Sequence, residues 1–288
     1  MKLARYVADG ETMIGVVRGS EVIDLRTFAQ NAPASIRAIL AAGPELMNQI
    51  ASDLVHSGPG RPINEVKLLA PVPDASKYLA IGLNYQDHAE EVRKSGIAIP
   101  QTQLWFNKQV SCITGPFDPI HKPRVSEQLD YEAELGIVIG KRCRHVTAED
   151  ASTVIGGYFV ANDVSARDWQ RASQTFTLGK SFDTHGPIGP WITTPDEVPD
   201  PHALQMRLWV NGELRQHQTT GRMIYNIFQQ IEHLTKVMTL EPGDLIATGT
   251  CSGVGVAMKP PRFLEVGDIV RIEIDGLGHI ENSVIAEP

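Results

Sequence analysis

Leu129-Asp-Tyr-Glu-Ala-Glu-Leu-Gly-Ile-Val-Ile139 is the stretch on which the reading of the chain turns. Its tail, Ile137-Val-Ile139, is too apolar for an outer edge strand, so a buried strand is expected over Glu132–Ile139. Alternate side chains of a strand share a face. Tyr131, Ala133 and Leu135 then point one way, and Glu132, Glu134 and Gly136 the other. Two carboxylates on one strand face repel each other, and without a nearby cation at least one prefers to keep its proton. A hard cation beside a buried site resolves the conflict. A solvated sheet face resolves it as well, and the motif alone does not choose.

Further along, Tyr158-Phe-Val-Ala-Asn-Asp163 reads as a strand over Gly157–Asn162 that ends on a carboxylate. Asp163 either caps the helix after it or reaches the site of Glu132 and Glu134. Three oxygen donors with no His or Cys beside them suit Mg²⁺, Mn²⁺ or Ca²⁺ and suit Zn²⁺ poorly. Three protein ligands leave coordination positions for substrate or water. Before the acidic stretch, Asn84 to Lys94 reads as a short polar helix or ordered loop. On a helix His88 and Glu91, three apart, share a face. A carboxylate beside an imidazole raises its basicity and fixes its tautomer, as a general base requires. Asp87 and Glu90 are alternative partners, and a surface His in a charged segment accounts for the same residues. Lys180, within Thr177-Leu-Gly-Lys-Ser-Phe182, either snorkels to solvent or stabilises charge on a bound anion.

Around these residues the chain divides in two. Residues 1–70 read as a small α+β unit: strand-like runs broken at Asp9-Gly10 and Gly19, then helix from Ser35 to Leu54 interrupted at Gly43-Pro44. Ser57-Gly-Pro-Gly-Arg-Pro62 is expected as the linker. Residues 71–288 read as mostly β. Asn211-Gly212 between Leu204–Val210 and Glu213–Gln216 signals a hairpin. Thr147-Ala-Glu-Asp150 has the form of a helix start. Met223, Ile224, Ile227, Phe228, Ile231, Leu234 and Met238 lie on one face of a helix. Lys77–Gly82 is a short strand, and Glu241–Asp244 and Glu265–Asp268 are turns leading into strands.

The 288 residues, 42% apolar and 21% charged, suffice for a sizeable core. A net charge of −8 argues against a nucleic-acid partner and leaves a small anionic substrate open. No apolar run approaches the roughly 18 residues of a membrane span. The N-terminal residues lack the apolar stretch of a signal peptide, so the cytoplasm is the expected location. Cys112, Cys143 and Cys251 form no CxxC pattern and are expected as reduced thiols. Cys251 has no evident base partner, and Gly249-Thr-Cys-Ser-Gly-Val-Gly255 lacks the ending of a phosphate loop.

Five motifs follow in order: Gly82-Leu-Asn-Tyr-Gln-Asp-His-Ala-Glu-Glu91, Asp130-Tyr-Glu-Ala-Glu-Leu-Gly136, Asn162-Asp-Val-Ser-Ala-Arg-Asp168, Gly179-Lys-Ser-Phe-Asp183 and Thr248-Gly-Thr250. Together they resemble the fumarylacetoacetate hydrolase family from Lys77 to the C-terminus. The resemblance implies a mostly β, α+β fold: a β-roll or mixed β-sandwich catalytic domain, with the site at the mouth of the roll, joined to the small N-terminal domain. It implies Glu132, Glu134 and Asp163 as ligands of Mg²⁺ or Mn²⁺, with Ca²⁺ as a further option. Lys180 is implied as a catalytic residue facing metal and substrate, and His88 with Glu91 as a catalytic pair on a lid. Arg167 and Gln170 are implied beside the substrate, as are Gly249 and Thr250, whose backbone and hydroxyl would bind its carboxylate. A homodimer is expected, with no nucleic-acid or membrane partner.

The implied activity is metal-dependent hydrolysis of a C–C bond in a small anionic 2-oxo acid. A 2,4-diketo acid of the acylpyruvate or fumarylpyruvate kind, from aromatic or sugar-acid catabolism, is the expected substrate. The bond would break through a metal-bound enolate, with His88 activating water. Oxaloacetate decarboxylation and isomerisation or decarboxylation of a 2-hydroxy-dienoate use the same residues and stand as alternatives. A non-catalytic ligand-binding role stands behind them. Specificity for the acyl side is expected from Arg93 to Gln103 and from Gln170 to Phe176. His185 is expected to stabilise its loop, and Trp105, Trp169, Trp191 and Trp209 to pack.

Overall fold

A computed structural model of the chain describes residues 1–94 and 101–288. It opens with a meander, β1 (Lys2–Ala8), β2 (Glu11–Arg18) and β3 (Glu21–Asp24), turning at Asp9-Gly10 and Gly19 as expected. Helices α1 (Ile36–Ala41) and α2 (Pro44–Leu54) follow. Ser35 caps α1 by accepting the Ala38 N–H, and the break between the helices falls at Gly43, where φ is 87°. The chain returns through β4 (Arg61–Pro62), paired with β3, and β5 (Lys67–Leu69), paired with β1. Ser57–Pro62 is therefore more than a linker. A Cβ on Gly60 would lie 2.6 Å from the Val22 carbonyl oxygen, so this glycine permits a close backbone approach.

The remainder begins with β6 (Tyr78–Gly82), helix α3 (Gln86–Lys94) and β7 (Leu104–Lys108). Short strands β8 (Ile113–Thr114), β9 (Ile120–Lys122) and β10 (Leu129–Asp130) lead into β11 (Ala133–Ile139) and β12 (Ile155–Asn162). Then come β13 (Ser165–Ala166), helix α4 (Arg167–Arg171), β14 (Gly186–Thr193) and the hairpin β15 (Gln205–Val210) and β16 (Glu213–Thr219). Asn211 and Gly212 both have positive φ, as the hairpin reading requires. Helix α5 (Ile227–Val237), β17 (Leu245–Ala247), β18 (Ile269–Ile274) and β19 (Gly278–Ala286) complete the chain.

Among the described residues one long sheet has the order β4-β3-β2-β1-β14-β12-β11-β17-β6-β7, with β5 on β1 and β8 on β14. A second has the order β16-β15-β18-β19-β9. Strand β11 is buried on both faces. Leu135, Ile137 and Ile139 pack into the core with Leu208 and Ile272 of the second sheet, while Val138 packs on the other side with Phe159. The alternation read from the sequence is thus an alternation between two cores. Residues 1–70 share that long sheet through Leu3 opposite Ile192, and Ile39 and Ile50 lie in one core with Ile188 and Leu245.

Two local expectations are corrected. The helix expected from Met223 starts at Ile227, because Asn226 caps it and Gln229 completes a capping box. Met223 is still buried, but as part of the preceding turn. Thr147–Asp150 starts no α-helix. The Thr147 hydroxyl bonds Asp150, and a single 3-10 turn over Ala151–Val154 leads into β12. Among the described residues no helix is long and apolar enough to cross a membrane.

Candidate active site

The site forms where β11 and β12 run out side by side. Their register sets Ala133 opposite Asn162 and Glu134 opposite Ala161, and the Asp163 N–H donates to the Glu132 carbonyl at 3.0 Å. Glu132, Glu134 and Asp163 are buried together, each offering a carboxylate oxygen within 4.8 Å of the others. Gly136 is directly opposite Phe159, and a Cβ there would lie 2.2 Å from the Phe159 ring. The glycine in Glu-Ala-Glu-Leu-Gly thus lets an aromatic ring fill the strand face that carries Glu134.

Three buried cations hold this cluster. The Lys180 ammonium lies 2.7 Å from Glu132 Oε2 and 2.6 Å from Asp163 Oδ2, so it points inward and does not snorkel. It reaches there because Gly179 lies against α4, where a Cβ would come 2.2 Å from the Gln170 nitrogen. The Phe106 ring faces the same ammonium at 5.0 Å. Lys108 donates to Asp163 Oδ1 at 2.6 Å and to the carbonyls of Val164 and Lys180. Arg167 contacts Glu132 at 2.8 Å and donates to Asp130 Oδ2 at 2.8 Å. Asp130 also accepts the N–H groups of Gly255 and Val256.

Glu134 is the odd member. Its Oε2 accepts the Gly249 N–H at 2.8 Å, and among the described residues no cationic side chain pairs with it. Burial, and then the charges of Asp163 and Glu132, push its carboxyl well above the ordinary range. Burial pushes Glu132 the same way, but Lys180 and Arg167 more than offset it and hold that group below the ordinary range. Four buried carboxylates, with Asp130 counted, face three buried cations. An all-oxygen donor set with an uncompensated negative charge fits a hard divalent cation.

The other half of the site is α3. His88 Nδ1 lies 2.9 Å from Glu91 Oε2, which settles the open choice of partner. The carboxylate accepts, so Nδ1 carries the hydrogen and Nε2 is left as the basic nitrogen. His88 is buried, near Glu132. Asp87 instead accepts from Ser252, Gln218 and the His88 N–H, while Glu90 is exposed.

The structure therefore brings Glu132, Glu134, Asp163, Lys180, Arg167, His88 and Glu91 into one site. Gln170 lies beside them with Oε1 accepting from Arg167 at 3.0 Å. Gly249 and Thr250 lie on the turn beside Glu134. The Gly249 N–H is spent on Glu134, and the Thr250 hydroxyl donates to the Ala133 carbonyl and accepts from Gln216. Their bonds here orient a candidate metal ligand and the strand beside it. His185 holds its loop through the His121 carbonyl, and burial lowers its pKa to about 3. Burial pushes the Cys251 thiol far up, away from nucleophilic use. Of the segment Arg93 to Gln103, residues 95–100 lie outside the described residues.

Lys108, Asp130 and Asn84 are absent from the sequence-based list. Lys108 left a signal: it alternates with Leu104 and Phe106 on the inward face of β7, where a charge needs a partner. Asp130 lies within the motif itself. Asn84 precedes α3, donates to the carbonyls of Thr248 and Tyr225, and accepts the Tyr225 N–H. A Cβ on Gly249, where φ is 100°, would meet the Asn84 Cβ at 2.7 Å.

The family described as fumarylacetoacetate (FAA) hydrolase C-terminal matches residues 77–285. The mitochondrial oxaloacetate tautomerase of Xenopus laevis is 42% identical over 269 residues, 93% of this chain and 83% of that protein. The fumarylacetoacetate hydrolase structure from Exiguobacterium antarcticum is 37% identical, with a TM-score of 0.86 and full coverage of both chains. The maleylpyruvate hydrolase of Sphingobium sp. SYK-6, solved with manganese(II) and pyruvate, is 35% identical with a TM-score of 0.84 and the same coverage.

Proposed function

The chain belongs to the fumarylacetoacetate hydrolase family, and from that premise we propose that it is a divalent-metal-dependent enzyme moving a proton at the carbon next to the carbonyl of a 2-oxo acid. Keto–enol interconversion of oxaloacetate is the reaction we put first. The observation that carries the reading is the His88–Glu91 pair at 2.9 Å, set close to a buried cluster of three carboxylates.

Glu132, Glu134 and Asp163 would hold the cation, which when bound supplies Lewis-acid polarisation of the 2-oxo acid's oxygens. Glu91 fixes the imidazole tautomer, and His88 Nε2 takes the proton from C3 or returns it there. In the ketonising direction the enol oxygen gives up one proton and C3 gains one, so nothing is lost from the substrate. Lys180, fixed between Glu132 and Asp163, supplies positive charge beside the oxygen on which negative charge develops. Arg167 keeps Glu132 ionised and oriented.

Oxaloacetate comes first because the tautomerase relatives share 40–42% identity over 93% of this chain. Hydrolysis of a 2,4-diketo acid, which adds water across the C–C bond and releases pyruvate and a carboxylic acid, is the second reading. It is supported by the likeness to the manganese- and pyruvate-bound maleylpyruvate hydrolase. A homodimer and a cytoplasmic location belong to the same proposal, the latter supported by three free, buried cysteines.

The test mixes enol oxaloacetate with metal-stripped protein and with protein reloaded with Mg²⁺ or Mn²⁺. Enol absorbance and pyruvate are followed together. Metal-dependent enol loss without pyruvate is expected. Pyruvate from acetylpyruvate or maleylpyruvate alone would move the assignment to hydrolysis, and no metal-dependent turnover of any of them would remove both readings.

A further inference from the structure

Helix α3 and the residue before it bond to residues 248–253 at several points, with Gln218 and Tyr225 as further partners. Asn84, just before the helix, donates to the Thr248 carbonyl at 2.8 Å. Asp87 Oδ2 accepts the Ser252 hydroxyl at 2.8 Å and the Gln218 amide at 3.1 Å, while Oδ1 accepts the His88 N–H at 2.9 Å. Glu91 Oε1 accepts the Gly253 N–H at 3.3 Å. The same segment gives the Gly249 N–H to Glu134, so it is shared by the helix and the acidic cluster.

We propose that Asp87 is a positioning residue that seats α3 on Ser252 and Gln218, and thereby sets where the His88 imidazole stands relative to Glu132, Glu134 and Asp163. The inference rests on His88 being the base. Asp87 bonds the backbone of His88 and two groups outside the helix, and it leaves the imidazole to Glu91. Burial opposes its charge, but the bonds from Gln218 and Ser252 hold its carboxyl below the ordinary range, so the seat is made of charge-assisted bonds. A nine-residue helix is marginal by itself, so bonds to the body decide its place. Small displacements of a base are costly: about 10²-fold for roughly 1 Å.

The test compares Asp87→Ala, Asp87→Asn and His88→Ala, reading kcat, KM, Mn²⁺ affinity by calorimetry and Tm. Asp87→Ala is expected to lower kcat about 10²-fold with Mn²⁺ affinity and Tm near the parent's, and Asp87→Asn, which keeps one acceptor oxygen, to recover part of the loss. Adding Ser252→Ala to Asp87→Ala should cost little more, since both remove one contact. If Asp87→Ala does not fold, the paired variant Ser252→Ala/Gln218→Ala carries the test with the same expectation. A kcat within twofold of the parent in a background where His88→Ala is strongly impaired would overturn the seat alone. Equal loss of Mn²⁺ affinity and kcat would also overturn it, as a general disruption. Full activity in His88→Ala would instead remove the base reading, and the seat with it.

Discussion

Glu132, Glu134 and Asp163 stand at the ends of two paired central strands and meet Lys108, Lys180 and Arg167, whereas His88 and Glu91 ride on a nine-residue helix held by a few bonds to the body. The carboxylates are fixed by a sheet register and by charge-assisted bonds in a buried setting, where each interaction is strong and each loss expensive. The helix is fixed by a few bonds to Thr248, Ser252, Gln218 and Gly253. The difference assigns two kinds of work. The strands hold a fixed arrangement of charge, and the helix brings a proton carrier to it. Removing a strand carboxylate should abolish ligand holding and chemistry together, while changing the helix should separate them.

The largest effect is expected from Glu134→Gln. In the metal-free protein Glu134 has no cationic partner among the described residues and is held toward its protonated form, which the amide of glutamine replaces without a buried charge, so the metal-free variant should keep its Tm or gain slightly. Metal-induced stabilisation should vanish, and activity should fall on the order of 10³-fold, the equivalent of the several kcal/mol a catalytic cation supplies. Thermal melts with and without Mn²⁺ check this, and retained stabilisation by Mn²⁺ would dissolve the contrast from the strand side. Gly179→Ala comes next. Its Cβ would sit 2.2 Å from the Gln170 nitrogen, so the turn carrying Lys180 must move. A loss of about 1–3 kcal/mol in stability and about 10²-fold in kcat is expected, read by denaturant melts and steady-state kinetics.

A smaller, graded effect concerns pH. The Glu134 carboxyl is raised above its unfolded value, so between the two pKa values the folded chain binds more protons. Its contribution to stability therefore falls as pH rises through that window. Glu132 has the opposite sign: its contribution is present above the unfolded value of about 4.5 and is lost as pH falls through the lower folded value. A cation must displace the Glu134 proton, so Mn²⁺ affinity should rise by up to about tenfold per pH unit until Glu134 is ionised. Calorimetric titrations at several pH values would show the slope. A flat profile would mean that Glu134 is already charged, or is no ligand.

The same contrast marks how much could be read from the sequence. Strand β11 was legible because a period of two is local: Leu135, Ile137 and Ile139 declare one face, and Glu134 and Gly136 the other. The three carboxylates and the His88–Glu91 pair were legible through the resemblance, which also pointed to Lys180. Lys108 left only its alternation with Leu104 and Phe106 as a local signal, and its role comes from a contact to Asp163, 55 positions away. The intramolecular bonds of Gly249 and Thr250 were hidden for a similar reason. Their bonds go to Glu134 and Ala133, partners defined only once β11 and the 248–250 turn lie together. The start of α5 was missed because Met223 and Ile224 continue the apolar period, and the Asn226 cap overrides it. Ser57–Pro62 carried loop composition for a different purpose, the approach of Gly60 to β3.

The most direct test of the division between strands and helix is the rate of enol-to-keto conversion of oxaloacetate by His88→Ala and its parent, each saturated with Mn²⁺ and with its Mn²⁺ affinity measured alongside. The account predicts unchanged affinity and a rate lower by about 10²- to 10⁴-fold, the contribution of a positioned base. An equal rate in the two proteins, or a variant that loses Mn²⁺ along with its activity, would contradict it.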